Sequence, residues 1–286
     1  FIEFLVKIKK KNRKIFCIFS SLGLNYDKKV LNLMEPNLEV FITPTTGLDH
    51  INLHYLKKIN VKLMYLSQYP NFLNTITSTA EHTWSIIMAL MRNITPANND
   101  VINNNNWKRE NFKCKDLKNK NLCIVGLGRI GKSVAKYGKF FGMNIYATEK
   151  NKKNNLKFIK YLSLNNLIKK ADILTLHIQF NKKNKNIIKN YQLDMLKKDS
   201  ILVNTSRGNL FSENKALQLL NKKKIFGLGL DVMENDSSWS PKIKLKNKFG
   251  KYRNKNLIIT PHIGGNTIEA RRKTSNFLLE KFLKKI

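Results

Sequence analysis

Residues 121–131 read NLCIVGLGRIG, an apolar run of strand length that breaks at Gly126 and passes directly into a segment of helical pattern. Gly126, Gly128 and Gly131 thus form G-x-G-x-x-G between a predicted strand and a predicted helix, the setting that gives the spacing its meaning. The first glycine permits a tight turn, the second lets the backbone approach a pyrophosphate, and the third lets helix and strand pack closely. The helix N-terminus behind them offers free N–H groups and a partial positive charge to phosphate. A second apolar run, MNIYATE, ends on Glu149, 18 residues after Gly131. A carboxylate there can accept hydrogen bonds from an adenosine ribose and repels a 2′-phosphate, which favours NAD over NADP, although Lys150 and Lys152 stand close by.

Working outward, DILTLHI, SILVNTS, IFGLGLDV and NLIITPH are further strand-length runs, most of them separated by helical segments such as KSVAKYGKFFG and ENKALQLLNKK. Near-continuous apolar strands alternating with helices predict an α/β fold, a doubly wound parallel sheet covered on both faces. Upstream, KIFCIFS, LEVFITPT and VKLMYLS form a separate set of short strands. Ser78 and Glu81 are spaced as a capping box ahead of an apolar face, so a helix is expected to begin near residue 78. Pro96 and the polar NNDVINNNNW tract are expected to end or interrupt it. The stretches 151–157 and 182–186 read as solvated loops.

In such sheets ligands lie at the carboxyl ends of the strands. SILVNTS leads to Arg207, whose planar guanidinium can grip a carboxylate by two parallel hydrogen bonds where lysine offers only a point charge. GLGLDVMEND supplies Asp231, Glu234 and Asp236, any of which could orient and sustain an imidazolium, although Glu234 reads better as an exposed turn acid. NLIITPHIGG supplies His262, the side-chain type best suited to proton transfer near neutral pH. Among the other histidines, His177 ends a strand and is placed to border a cofactor. His82 reads as a packed or exposed helix residue, and His50 and His54 as polar surface.

The composition limits the alternatives. The net charge is +34, but lysine and asparagine are spread along the whole chain and the basic runs lack interleaved aromatics. That is biased composition rather than a specific nucleic-acid footprint. With 42% hydrophobic residues the chain can build one large or two medium domains, yet no apolar run is long enough to span a bilayer. Cys17, Cys114 and Cys123 have neither metal nor disulfide spacing and read as reduced thiols of a cytoplasmic protein. No secretory leader is read in FIEFLVKIKKKNRK, and because the sequence opens on Phe1 its true start is expected to lie upstream.

Taken in order, TPTTGLDHIN, TAEHTW, GLGRIG with Glu149, NTSRGN, GLGLDV and TPHIGGNTIEA resemble the D-isomer-specific 2-hydroxyacid dehydrogenases, nearest to the phosphoglycerate-dehydrogenase-like branch, over residues 35–280. The resemblance implies a Rossmann domain (77–265) inserted in a smaller, flavodoxin-like α/β substrate domain made of residues 1–76 and 266–286, short at its start by about a strand and a helix. It implies NAD held by the glycine turn with Arg129 and Ile130, by Glu149, His177, Thr205, Ser206, Arg207 and Asp231, and by His262, Gly264 and Gly265. The substrate, a small 2-hydroxy or 2-keto acid, is expected at Arg207 and at the backbone of Thr46 and Gly47. Arg207, Asp236 and His262 form the expected catalytic set, with no metal. Asp236 is one methylene shorter than the family's glutamate, and Ser237 replaces the proline that commonly follows. A homodimer is implied through the helix from residue 78 and the segment to Trp107. The function expected is hydride transfer between NAD(H) and that acid; a catalytically weak NAD-sensing interaction protein of the same fold is the alternative.

Overall fold

A computed structural model describes residues 16–20, 24–34, 37–149, 156–234, 249–252 and 255–284. Two compact units are present: one gathers the described residues up to Ile76 and those from Thr267 onward, the other those between Thr77 and Asn266.

In the smaller unit, β1 (Cys17–Phe19), β2 (Val40–Thr43) and β3 (Lys62–Tyr65) form a parallel sheet in that order. Helices α1 (Lys28–Asn32), α2 (Leu53–Lys58) and α3 (Pro70–Leu73) accompany them. Phe41 packs with Tyr26, Leu31 and Leu56, whereas its neighbours Val40 and Ile42 pack with Met64 and Leu73. Alternation along one strand therefore feeds two cores. The later helix Ile268–Leu283 joins the second core through Leu278, and its Phe277 stacks on Phe72 with ring centroids 3.7 Å apart.

The larger unit opens with α4 (Ser78–Met91). This helix starts where the sequence places it, but for another reason. Its N-cap is Thr77, no side chain caps the first turn, and the Ser78 hydroxyl is buried without a hydrogen-bond partner. The polar tract after it is not a terminator but a helix in its own right, α5 (Ile94–Asn104), which carries Pro96 in its first turn where the missing N–H costs nothing. Asn93 and Asn105, both at φ 49, bracket it. Asparagine tolerates the left-handed region better than other non-glycine residues, so the asparagine-rich composition supplies turns here.

Seven parallel strands follow: β4 (Asn121–Val125), β5 (Asn144–Thr148), β6 (Ile159–Tyr161), β7 (Ile173–Leu176), β8 (Ile201–Asn204), β9 (Gly227–Leu230) and β10 (Leu257–Ile259). Their order, β10-β9-β8-β7-β4-β5-β6, is the doubly wound Rossmann arrangement, and the strand order reverses between β4 and β7. The short β6 was not among the expected strands; three residues carry too little periodicity to be read. Cys123, Val125, Leu174 and Leu176 face one core, and Leu122, Ile124, Ile173 and Ile201 the other. Burial on both faces is why these strands read as unbroken apolar runs. The crossovers include α6 (Arg129–Phe140), α7 (Leu164–Lys170), α8 (Asn190–Asp194) and α9 (Glu213–Asn221). Among the described residues no helix is long and apolar enough to cross a membrane.

Candidate active site

Because all seven strands are parallel, every segment that follows a strand emerges at the same end of the sheet. The glycine turn emerges after β4. Gly126 sits at φ +94, and a Cβ on it would lie 2.8 Å from the His177 carbonyl oxygen. The turn is thus pressed against the chain leaving β7, at the point where the strand order reverses. A Cβ on Gly131 would stand 2.1 Å from the Gly126 oxygen, so the third glycine is required for helix and turn to meet. Gly128 differs: nothing lies within 4 Å of the Cβ position. As the N-cap of α6 it makes no side-chain cap, and its open space adjoins the first amides of that helix. A pyrophosphate needs this combination of room, amide donors and positive dipole, so the turn fits the dinucleotide that the sequence implies.

Arg129 begins α6, and burial pulls its guanidinium below the usual value. Ile130 packs into the core beside the turn. Glu149, just past β5, accepts the Leu127 N–H at 2.8 Å and so ties the turn to the second strand. Lys150 and Lys152 lie outside the described residues. His177, a half-buried residue, bonds through Nε2 to Thr175 Oγ1 at 3.0 Å, and its Nδ1 is sealed from solvent without a partner. Burial lowers its pKa to about 3, so it is a neutral imidazole.

Beyond β8, the buried Asn204 side chain builds the next turn. Its Oδ1 accepts from the Ser206 N–H at 3.1 Å and the Ser206 hydroxyl at 2.9 Å, and its Nδ2 donates to the Arg207 carbonyl at 2.9 Å. The Thr205 hydroxyl lies 2.8 Å from that of Thr83, which itself donates to the Thr79 carbonyl, so Thr205 is the donor of the pair. Arg207 is half-buried, with Nη1 donating to the Ser206 carbonyl at 2.8 Å. Gly208 is forced: a Cβ there would fall 1.8 Å from the Met233 oxygen.

Beyond β9 and β10, one carboxylate organises everything. Asp231 Oδ1 accepts from the Thr260 hydroxyl at 2.6 Å and the Ile263 N–H at 2.9 Å, while Oδ2 accepts from the Gly264 N–H at 2.8 Å. His82 Nε2 lies 3.2 Å from Oδ1 and 3.0 Å from the Thr260 oxygen. Burial pushes this carboxyl upward, but the bonds from His82, Thr260, Ile263 and Gly264 outweigh it and hold the pKa below the ordinary value. The turn so clamped carries His262, which sits at φ 55 with its N–H donating to the Asp231 carbonyl at 2.8 Å. That backbone conformation is uncommon for a non-glycine residue and persists only where its surroundings enforce it. Gly264 has no room for a side chain against Asp231 Oδ2, whereas a Cβ on Gly265 would make only ordinary contact, 3.8 Å from Thr79.

Two sequence expectations change and a third is refined. Glu234 is no exposed turn acid and does not serve a histidine: its Oε1 accepts the Glu213 N–H at 2.7 Å at the start of α9, and Glu213 Oε2 accepts the Glu234 N–H at 3.1 Å in return. His50 is buried against Tyr26 rather than on the surface. His82 belongs to the Asp231 cluster; its signal is 178 residues from Thr260 and nothing local announces it. Asp236 and Ser237 lie outside the described residues. Thr46 and Gly47 follow β2 in the smaller unit, where the Thr45 hydroxyl donates to the Gly47 carbonyl at 2.7 Å and Ser67 to that of Thr46 at 3.1 Å.

A family model described as D-isomer specific 2-hydroxyacid dehydrogenase, NAD binding domain, matches residues 84–264. The chain is 30% identical over 254 residues to a hydroxypyruvate reductase of Thermotoga maritima, covering 87% of this chain and 78% of that one. It is 28% identical over 284 residues to a glyoxylate reductase of Thermococcus litoralis, covering 96% and 81%. Among solved structures, a D-lactate dehydrogenase of Aquifex aeolicus complexed with NAD and lactic acid superposes with a TM-score of 0.79 at 26% identity, covering 98% of this chain and 85% of that one.

Proposed function

The chain belongs to the D-isomer specific 2-hydroxyacid dehydrogenases, NAD-dependent oxidoreductases acting on small 2-hydroxy and 2-keto acids, and from that premise we propose which residues do the work and on what. The substrates are short, unbranched 2-keto acids of the glyoxylate and hydroxypyruvate kind, the chemistry named for two relatives. One observation carries the assignment of roles. The carboxyl ends of β8, β9 and β10, hydrogen-bonded neighbours, deliver the Arg207 turn, Asp231 and the His262 turn to the sheet end that also bears the glycine turn.

Bound NAD(H) supplies or accepts the hydride. Gly128, Arg129 and the first amides of α6 would hold its pyrophosphate, Gly126, Gly131 and Ile130 would shape the turn that does so, and Glu149 would take the ribose hydroxyls. His177, Thr205, Ser206, Asp231, Gly264 and Gly265 border the rest. Arg207 grips the substrate carboxylate and polarises the neighbouring carbonyl. In reduction the His262 imidazolium gives its proton to the carbonyl oxygen as the carbon gains hydride, leaving a hydroxy acid and a neutral imidazole. Asp236 sustains the charged imidazole, the role Glu234 is too committed elsewhere to fill. The smaller unit is the substrate domain, contributing the backbone of Thr46 and Gly47, and the larger unit is the NAD-binding domain.

The active form is a homodimer. On α4 and the C-terminal end of α6 with its cap, Trp84, Met88, Tyr137, Phe140 and Phe141 line an apolar surface groove, with Phe140 96% exposed. Trp107 lies 88% exposed after α5. A second copy is the occupant such a patch suits. Three free cysteines fit a reducing cytoplasm.

The test is NADH oxidation, followed by absorbance, against a panel of 2-keto acids with wild type, Arg207→Ala and His262→Ala. Turnover by wild type and its loss in both variants is expected. Variants as active as wild type overturn the assigned roles.

A further inference from the structure

We propose that His82, on α4, is a positioning residue for the proton-transferring histidine: its ring N–H locks the Asp231 carboxylate, which in turn holds the turn that presents His262. The inference rests on the catalytic reading of His262 given above.

The direction of each hydrogen bond follows from counting protons. Asp231 is ionised and can only accept. The Thr260 hydroxyl has one proton, and it points to Asp231 Oδ1 at 2.6 Å. Thr260 can therefore only accept from His82. His82 Nε2, within reach of both oxygens at 3.0 and 3.2 Å, must carry the hydrogen and share it between them. The tautomer is fixed by its partners.

The consequence lies one bond further on. Asp231 also takes the N–H groups of Ile263 and Gly264, the two residues directly after His262. These bonds pin a turn whose His262 has φ 55. Without a donor at position 82, Asp231 keeps its bonds from Thr260, Ile263 and Gly264 but loses its anchor on α4, so carboxylate and turn lean on each other without that tie to the helix. The His262 ring then samples a wider range of positions. Misplacement by about 1 Å costs on the order of a hundredfold in rate in well-aligned sites, so even partial loosening reaches kcat. Gly264 confirms how close the fit is: a Cβ there would be 3.4 Å from His82 Cδ2 as well as 2.9 Å from Asp231 Oδ2.

The experiment compares His82→Leu, which removes the donor, with His82→Gln, whose amide nitrogen can restore it at similar reach. For each we expect NADH affinity, measured by nucleotide fluorescence, to fall by no more than about threefold, less than kcat, since Asp231 and Gly264 border only part of the nucleotide. We expect kcat for keto-acid reduction to fall about tenfold or more in His82→Leu and to recover to within about threefold in His82→Gln. A merely structural histidine predicts lost thermal stability with kcat intact below the melting transition. Unchanged kcat in His82→Leu, equal loss in both variants, or weakened NADH binding in step with kcat overturns the proposal. A second readout needs no turnover, and so separates this claim from the catalytic reading. Hydrogen–deuterium exchange at the Ile263 and Gly264 amides should quicken about tenfold or more in His82→Leu alone. Equal protection in all three proteins overturns it, whether or not the wild type reduces any keto acid.

Discussion

The turn after β4 and the turns after β8, β9 and β10 sit at the same end of one sheet but are built by opposite means. In the first, function is made by leaving side chains out: Gly126 and Gly131 are bare because backbone stands where a Cβ would go, and Gly128 is bare where nothing stands at all. In the second, function is made by burying polar side chains. Asn204, Thr205 and Asp231 are each at most 5% exposed, and their hydrogen bonds shape the loops that carry Arg207 and His262. On the proposed assignment the cofactor is held by backbone, and the chemistry is placed by a network of satisfied polar side chains.

The contrast is broken most severely at the reacting groups. Arg207→Ala and His262→Ala should each lower kcat/KM about a thousandfold, with the fold intact by circular dichroism, since the proposed anchor and proton donor would act in the transition state. Next comes the network. Asp231→Ala strands the Ile263 and Gly264 amides together with Thr260 and His82, and should cost about 3 kcal/mol of stability as well as activity, read from denaturant unfolding.

The glycines sharpen the comparison. Gly131→Ala must displace the Gly126 carbonyl and should destabilise by roughly 2 kcal/mol, whereas Gly128→Ala should leave stability within about 0.5 kcal/mol and still weaken NADH binding, since its methyl occupies space that only the nucleotide needs. Equal stability loss in the two variants would remove the distinction between packing glycine and binding glycine.

The smallest effect is on pH. His177 titrates near 6.5 when unfolded and near 3 when folded, so the unfolded chain binds the extra proton throughout that window. Stability should therefore fall as pH drops below 7, by at most about 1 kcal/mol at pH 5.5 because the residue is only half-buried, and His177→Asn should flatten that limb.

This division also explains what could be read from the sequence. The glycine spacing, Glu149 and the apolar strands are legible because they record backbone geometry and burial within a few residues of each other. Arg207 and His262 are legible by position, each at the tip of a strand-like run. The supports are not. His82 reaches Thr260 and Asp231 only because α4 packs across β8, β9 and β10, a long-range contact with no local periodicity. Glu234 is drawn to the Glu213 N–H by the fold of α9, which its own turn does not announce. The Ser78–Glu81 spacing imitates a capping box, but burial of the Ser78 hydroxyl removes it from the cap.

The most direct test of the account is a crystal structure with NADH and oxamate, an unreactive keto-acid analogue. Diphosphate is expected over Gly128, the Arg207 guanidinium on the oxamate carboxylate, and the His262 ring within hydrogen-bond reach of its carbonyl oxygen. Oxamate held away from either side chain, or diphosphate elsewhere on the sheet, would contradict it.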